Sequence, residues 1–186
     1  SKGFGHKGEI IPLILKEKLK IDNIGVISGP SFAYEVIKKK PTALVVAGNK
    51  DIIKLTTDLF HSNKLRIYGS KDIIGTSISG AMKNVIAIGA GILDGIKSSE
   101  STKAAFITRG LNEIKILSKF LGAKNDTFMG LSGIGDLMLT AYGEQSRNRS
   151  LGFNVGKGKK IKTILSSSKT VAEGFYTSKA IYELSL

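Results

Sequence analysis

The chain has 186 residues, 41% hydrophobic and 23% charged, which fits an ordinary globular protein of one large domain or two small ones. It has no cysteine, which excludes disulfides and thiolate metal sites, and two histidines, His6 and His61, are too few for a histidine-based metal centre. The net charge of +13 comes mostly from lysines scattered along the chain, with Arg66, Arg109, Arg147 and Arg149 as the arginines, and no aromatics interleave with the basic residues as stacking platforms would require. A small anionic ligand is therefore a simpler use of the charge than nucleic acid.

The chain opens with Ser1-Lys2-Gly3 and a glycine-containing loop, followed by a helix at about Ile10 to Lys18. Asn23 to Ser28 reads as a short apolar strand ending in Gly29-Pro30. Ser31 is placed to cap a short helix, Phe32 to Lys39, which Pro41 breaks. Thr42 to Ala47 is a second strand. Asp51 to His61 sets Ile52, Ile53, Thr56, Leu59 and Phe60 at helical spacing, and Leu65 to Tyr68 is a third strand.

From Lys71 onward the pattern changes. Helices are expected at about Ile73 to Ile96 and Ala104 to Leu121, the second with Ile107, Leu111, Ile114, Leu117 and Leu121 on one stripe. A glycine-punctuated section, Met129 to Gly143, precedes shorter helices near Ile161 to Leu165 and Thr177 to Leu184. The expected division is residues 1–70, a layered α/β section, and 71–186, an all-helical one. Three strands make a poor independent sheet, so a longer parent protein is expected. No G-x-G-x-x-G follows a strand; Gly130, Gly133 and Gly135 have the wrong spacing.

The stretch Gly80 to Gly95 is the centre of the helical section. It is apolar and built of small residues, with Lys83 and Asn84 near its start. It is too short and too polar at its ends for a bilayer span, and with no signal peptide visible a cytoplasmic location is the default. A lysine at the edge of a buried helix either snorkels to water or is paired and used. Three other patterns carry chemistry. Ser1-Lys2-Gly3 is weak alone. Ile27 to Ala33 is a strand-to-helix turn in which glycine admits a ligand to the backbone, or is merely a tight turn. Gly133-Ile134-Gly135-Asp136-Leu137 followed by Ser146-Arg147-Asn148 offers a guanidinium and neutral donors to a phosphate, or is a helix cap and plain loop.

Taken together, Ser-Lys-Gly, Ile-Ser-Gly-Pro-Ser-Phe-Ala, Ala-Met-Lys-Asn-Val-Ile-Ala, Ile-Thr-Arg-Gly-Leu (Ile107 to Leu111), Gly-Ile-Gly-Asp-Leu and Ser-Arg-Asn-Arg resemble the bacterial-type NAD(P)-dependent glycerol-3-phosphate dehydrogenases in order and spacing. The resemblance runs from Ser1 to at least Glu173. It implies the C-terminal part of a Rossmann-like dinucleotide-binding domain followed by an all-α domain, the architecture of 6-phosphogluconate dehydrogenase. The Gly-rich nucleotide-binding half of the family is absent from this sequence, as is the end of the helical domain.

The activity implied is interconversion of dihydroxyacetone phosphate and sn-glycerol 3-phosphate with NAD or NADP, feeding glycerophospholipid synthesis. By resemblance Lys83 is catalytic. Lys2, Gly29, Ser31, Asn84, Asp136, Thr140, Ser146, Arg147 and Asn148 match substrate-binding positions. Lys2, Ala33, Arg147, Val171 and Glu173 match cofactor-binding positions, and no metal is implied. Apolar surface on the helical domain is available to a second copy, as in a homodimer. The rival readings are another dehydrogenase of this architecture, of hydroxyacid or 6-phosphogluconate type, and a basic nucleic-acid-binding module.

Overall fold

The computed structural model describes residues 2–5, 8–167 and 171–184. Ser1 of the first motif and His6 lie outside them. Helix α1 (Ile11–Leu19) has Pro12 in its first turn, where a fixed φ suits the helix and no donor is lost. Strands β1 (Gly25–Ser28), β2 (Thr42–Gly48) and β3 (Leu65–Ser70) form one sheet in that order, β1 antiparallel to β2 and β2 parallel to β3.

The parallel pair needs a crossover. Helix α3 (Lys50–Phe60) supplies it, capped by Asn49, whose side chain accepts from the Ile52 N–H at 2.9 Å. Ile52 and Ile53 rest on the bare backbone of Gly48 and Gly69. The expected inward face does not extend to the end of α3, where Leu59 and Phe60 are exposed.

Helix α2 is shorter than its pattern suggests, five residues from Ala33 to Ile37. The extended Phe32 holds its cap position with no side-chain bond, so Ser31 does not cap it. A helix this short brings little dipole to an anion.

After β3 the described chain is helical. Asp72 starts α4 (Ile73–Gly95), accepting from the Gly75 N–H at 2.8 Å, the Lys124 N–H at 2.9 Å and the Thr127 hydroxyl at 2.5 Å. One carboxylate thus caps the helix and ties it to a later loop. Ser99 caps α5 (Glu100–Phe120), whose Ile107 and Ile114 are buried as their stripe predicts. Ile78, Met82, Ile114 and Phe128 form one apolar cluster, and Ala90, Ile107, Leu137 and Ala141 a second, both against α4.

The glycine-punctuated section is not a loop. A 3₁₀ turn (Asn125–Met129) and a π turn (Leu131–Gly135) lead directly into α6 (Asp136–Tyr142). Then come α7 (Arg147–Gly156), α8 (Ile161–Ser167) and α9 (Glu173–Leu184).

At 23 residues α4 is long and apolar enough to cross a membrane, so the length argument against a span fails. Its environment argues instead: 61% of its most apolar window is buried inside the protein, and it carries an ionisable residue in its middle.

Helix α4 owes its close neighbours to missing side chains. Gly95 on α4 faces Gly156 on α7, where a Cβ on Gly95 would lie 2.8 Å from the Gly156 Cα, and Gly91 on α4 meets the backbone of Arg149 and Phe153 on α7. A Cβ on Gly152 would overlap the Ile88 carbonyl group. Backbone therefore meets backbone, which fixes the α4–α7 separation more tightly than side-chain packing does. Gly152→Ala is expected to destabilise the fold by roughly 2 to 3 kcal/mol, in the range of overpacked cores, despite alanine's better helix propensity. An unchanged urea midpoint would contradict the close approach.

Candidate active site

The N-terminal segment, the β1–α2 turn, α4, α6, α7 and α9 converge on one polar cleft of about 320 Å³. Lys83 enters it from the middle of α4 and is 6% exposed. Its ammonium donates to Asp136 Oδ1 at 2.5 Å and to Thr140 Oγ1 at 2.9 Å, both on α6. The Thr140 hydroxyl donates to the Asp136 carbonyl at 2.6 Å, which turns its lone pairs toward Lys83. An ammonium has three N–H groups, so one is left for whatever enters the cleft.

Asp136 is fully buried and is the hub. Its Oδ2 accepts from Lys2 Nζ at 2.8 Å and from Ser28 Oγ at 3.3 Å. One carboxylate therefore serves two ammoniums, and the group carries a net charge of +1. A buried surplus cation is costly unless an anion completes it.

Burial pushes the Lys83 ammonium down from 10.5 to about 8; the Asp136 carboxylate opposes that shift and the Lys2 cation adds to it. Lys83 thus sits where a proton can leave and return near neutral pH.

Across the cleft, Ser146 caps α7, accepting from the Arg149 N–H at 3.2 Å. Arg147 follows, exposed, with no ion pair among the described residues. The first turn of a helix with an unpaired guanidinium beside it suits a dianion. Asn148 is buried. It donates to Asn84 Oδ1 at 2.9 Å and accepts from the Gly174 N–H at 2.9 Å, while Asn84 Nδ2 reaches the carbonyls of Gly80 and Lys2 at 3.3 and 3.4 Å. These two amides stitch α4, α7 and α9 together behind the cleft wall.

Of the residues singled out in the sequence, Lys2, Ser31, Ala33, Lys83, Asn84, Thr140, Ser146, Arg147, Asn148 and Glu173 line the cleft, with Asp136 directly beneath. Val171 lines an adjoining cavity together with Lys2, Arg147 and Glu173. Gly29 is not in the lining. It is buried with φ +137°, a conformation that side chains rarely adopt, and a Cβ there would press on the Leu44 backbone at 3.2 Å. The turn itself requires a glycine here. Sequence reasoning missed Ser28, Phe32 and Gln145, the last two in the lining. A buried serine ending an apolar strand was the available signal for Ser28.

Two family models match the chain: NAD-dependent glycerol-3-phosphate dehydrogenase C-terminus over residues 72–186, and NAD-dependent glycerol-3-phosphate dehydrogenase N-terminus over 1–53. The chain belongs to the NAD-dependent glycerol-3-phosphate dehydrogenase family. Among relatives, the glycerol-3-phosphate dehydrogenase [NAD(P)+] of Methylibium petroleiphilum is 46% identical over 182 residues, covering 97% of this chain and 55% of the relative. That of Staphylococcus saprophyticus is 45% identical over 163 residues, covering 87% and 49%. The chain therefore spans about half the length of the curated relatives it matches.

Among solved structures, the glycerol-3-phosphate dehydrogenase of Coxiella burnetii superposes with a TM-score of 0.93 at 36% identity, over 99% of this chain and 57% of that one. An enzyme of Dunaliella salina superposes with 0.91 at 26% identity, over 98% and 33%. The family architecture, a Rossmann-like α/β region followed by a helical domain, is the one described above.

The sign of the Lys83 shift gives a stability prediction for this family member. Its folded value lies below its unfolded one, so between about pH 8 and 10.5 the unfolded chain holds more of this proton. The burial cost is fully present below pH 8 and is relieved as pH rises through that window. The stability of the wild type relative to Lys83→Met should therefore increase from pH 7.5 to 10 in urea titrations. A difference independent of pH would contradict the depressed value.

Proposed function

We propose that the full protein interconverts dihydroxyacetone phosphate and sn-glycerol 3-phosphate, with this chain supplying the substrate site and the proton. The reading is carried by one observation: the Lys83 ammonium is held by Asp136 and Thr140 with an N–H to spare, in a cleft whose far wall offers Arg147 at the start of α7. The two ends of a phosphorylated three-carbon ketone ask for such a pair, a proton at the carbonyl and a cation at the phosphate. Residues 71–186 are read as the helical substrate domain and 1–70 as the end of the dinucleotide-binding domain.

The chain has residues suited to a nicotinamide nucleotide. The adjoining cavity of about 370 Å³ runs along Lys2, Arg147, Val171 and Glu173, with Tyr176 and Thr177 behind. Exposed Val171 and Tyr176 offer a ring apolar contact, and Arg147 faces both this cavity and the substrate cleft. When bound, NAD or NADP supplies the hydride delivered to the carbonyl carbon. The work of this chain is positioning and proton handling.

In the reduction Lys83 gives its free N–H to the carbonyl oxygen as negative charge develops there. In the oxidation the neutral amine takes the hydroxyl proton. Asp136 and Thr140 fix the direction of Nζ. Lys2, shared with Asp136, adds positive potential at the same oxygen. Arg147, with the Ser146 hydroxyl, holds the phosphate. Asn84 turns its amide nitrogen to two backbone carbonyls and so sets the wall, whereas Asn148 donates one N–H to Asn84 and keeps its second for the ligand. A role in supplying lipid precursors follows from this reaction.

In the full-length protein, Lys83→Ala should abolish turnover while cofactor affinity stays near wild type; retained activity above a few per cent would refute the role. Arg147→Ala should raise the Michaelis constant for the phosphorylated substrate sharply, and an unchanged value would place the phosphate elsewhere. Because Lys83 acts as an acid one way and a base the other, the rate of reduction should fall, and that of oxidation rise, through about pH 8. Parallel pH profiles in the two directions would exclude Lys83 as the shared proton carrier.

A further inference from the structure

A second buried charge cluster lies outside the cleft. Asp94, at the end of α4, accepts through Oδ2 from Lys103 of α5 at 3.0 Å, with its Oδ1 2.8 Å from the same ammonium, and through Oδ2 from Arg149 of α7, whose Nε and a terminal guanidinium nitrogen stand at 2.8 and 2.7 Å. The three side chains are 14%, 5% and 24% exposed. The Lys103 ammonium also sits 4.3 Å from the ring centre of Tyr142, the last residue of α6. The ring face takes up part of the surplus positive charge. The chemistry proposed for the cleft uses none of these groups.

We propose that Arg149, held by Asp94, is a positioning residue that sets the phosphate-binding corner relative to Lys83. Lys83 and Asp94 are on the same rigid helix, eleven residues and roughly 16 Å apart at 1.5 Å per residue. Arg149 is in the first turn of α7, immediately after Arg147 and Asn148, and its own N–H is the one Ser146 caps. The Asp94–Arg149 pair thus bolts the first turn of α7 to the rod that carries the proton donor. The glycine contacts set how near α7 lies to α4, and the Asn148–Asn84 amide bond ties its first turn to α4 beside Lys83. The two guanidinium contacts add a second tie ten residues further along α4, and two separated ties together stop the start of α7 from sliding or rotating. Lys103 shares the same carboxylate but tethers α5, which contributes nothing to the cleft.

The inference rests on reading Arg147 and the start of α7 as the phosphate end, and two variants separate it from general stabilisation. Arg149→Met leaves Asp94 paired with Lys103, and Lys103→Met leaves it paired with Arg149. Neither strands a buried carboxylate, so they differ in which helix is untied. In the full-length protein, Arg149→Met should raise the Michaelis constant for dihydroxyacetone phosphate on the order of tenfold, with kcat within about threefold, as expected when a binding group is misplaced by a fraction of an ångström. Lys103→Met should stay within about twofold, and the slow reduction of unphosphorylated dihydroxyacetone should not separate the variants. The rise in melting temperature produced by inorganic phosphate needs no turnover and should shrink in Arg149→Met alone. Equal Michaelis constants and equal phosphate shifts in both variants would overturn the anchor, as would a fall in kcat that matches the rise in KM. A wild type that turns over no phosphorylated ketone, yet loses its phosphate shift in Arg149→Met, would sink the proposed reaction and keep the anchor. If Arg149→Met does not fold, Arg149→Lys, which keeps the charge but not the two-nitrogen grip, should show a smaller change in the same direction.

Discussion

The structure depends on one carboxylate that two ammoniums share. Asp136 is fully buried at the start of α6 and meets Lys83 from α4 and Lys2 from the N-terminal segment. A lone carboxylate or a lone ammonium in that position would be strongly disfavoured. Together they leave one positive charge on a largely buried group at the cleft, a surplus that suits an anion. The same arrangement depresses Lys83 without stripping it of its partner, because burial outweighs the carboxylate's pull. Fold and chemistry are coupled at this point: the elements that bury the pair are the ones that form the cleft.

Helix α4 makes the coupling rigid. Its small residues let α7 approach to backbone contact, its Asp72 cap ties its start to the loop before α6, and its Asp94 holds α5 and α7 at the other end. Lys83 lies between these fixed ends. The run of Ala, Gly and Ile that reads as merely greasy in the sequence has a geometric purpose, since larger side chains would push the start of α7 away from Lys83.

Much of this was legible in the residues. The three strands, the crossover helix and the two long helices follow from period and punctuation, and Lys83 was singled out because an ionisable group in so apolar a helix needs a reason. Asp136 and the Ser146–Arg147–Asn148 segment stood out as one local pattern, and the roles of these residues and of Lys83 came from the resemblance to a family. What was not legible has physical causes. Helix α7 contains Gly152 and Gly156, which lower helix propensity, and its formation depends on burial against α4, a tertiary effect. The π turn at Leu131–Gly135 looks like a loop for the same reason. For Gly29 the sequence left open a ligand-admitting glycine and a tight turn, and its positive φ and the press of Leu44 supply the turn. Ser28 was passed over because a serine at a strand end carries no periodic signal.

The most direct test of the central claim is the titration of Lys83 itself, followed by the NMR signal of its side-chain methylene next to nitrogen in selectively labelled protein and assigned by its loss in Lys83→Met. A midpoint near 8 is predicted, well below the ordinary lysine value of 10.5. A midpoint at the ordinary value near 10.5 would contradict the account, because a lysine that firmly protonated is not poised to exchange a proton with a substrate oxygen.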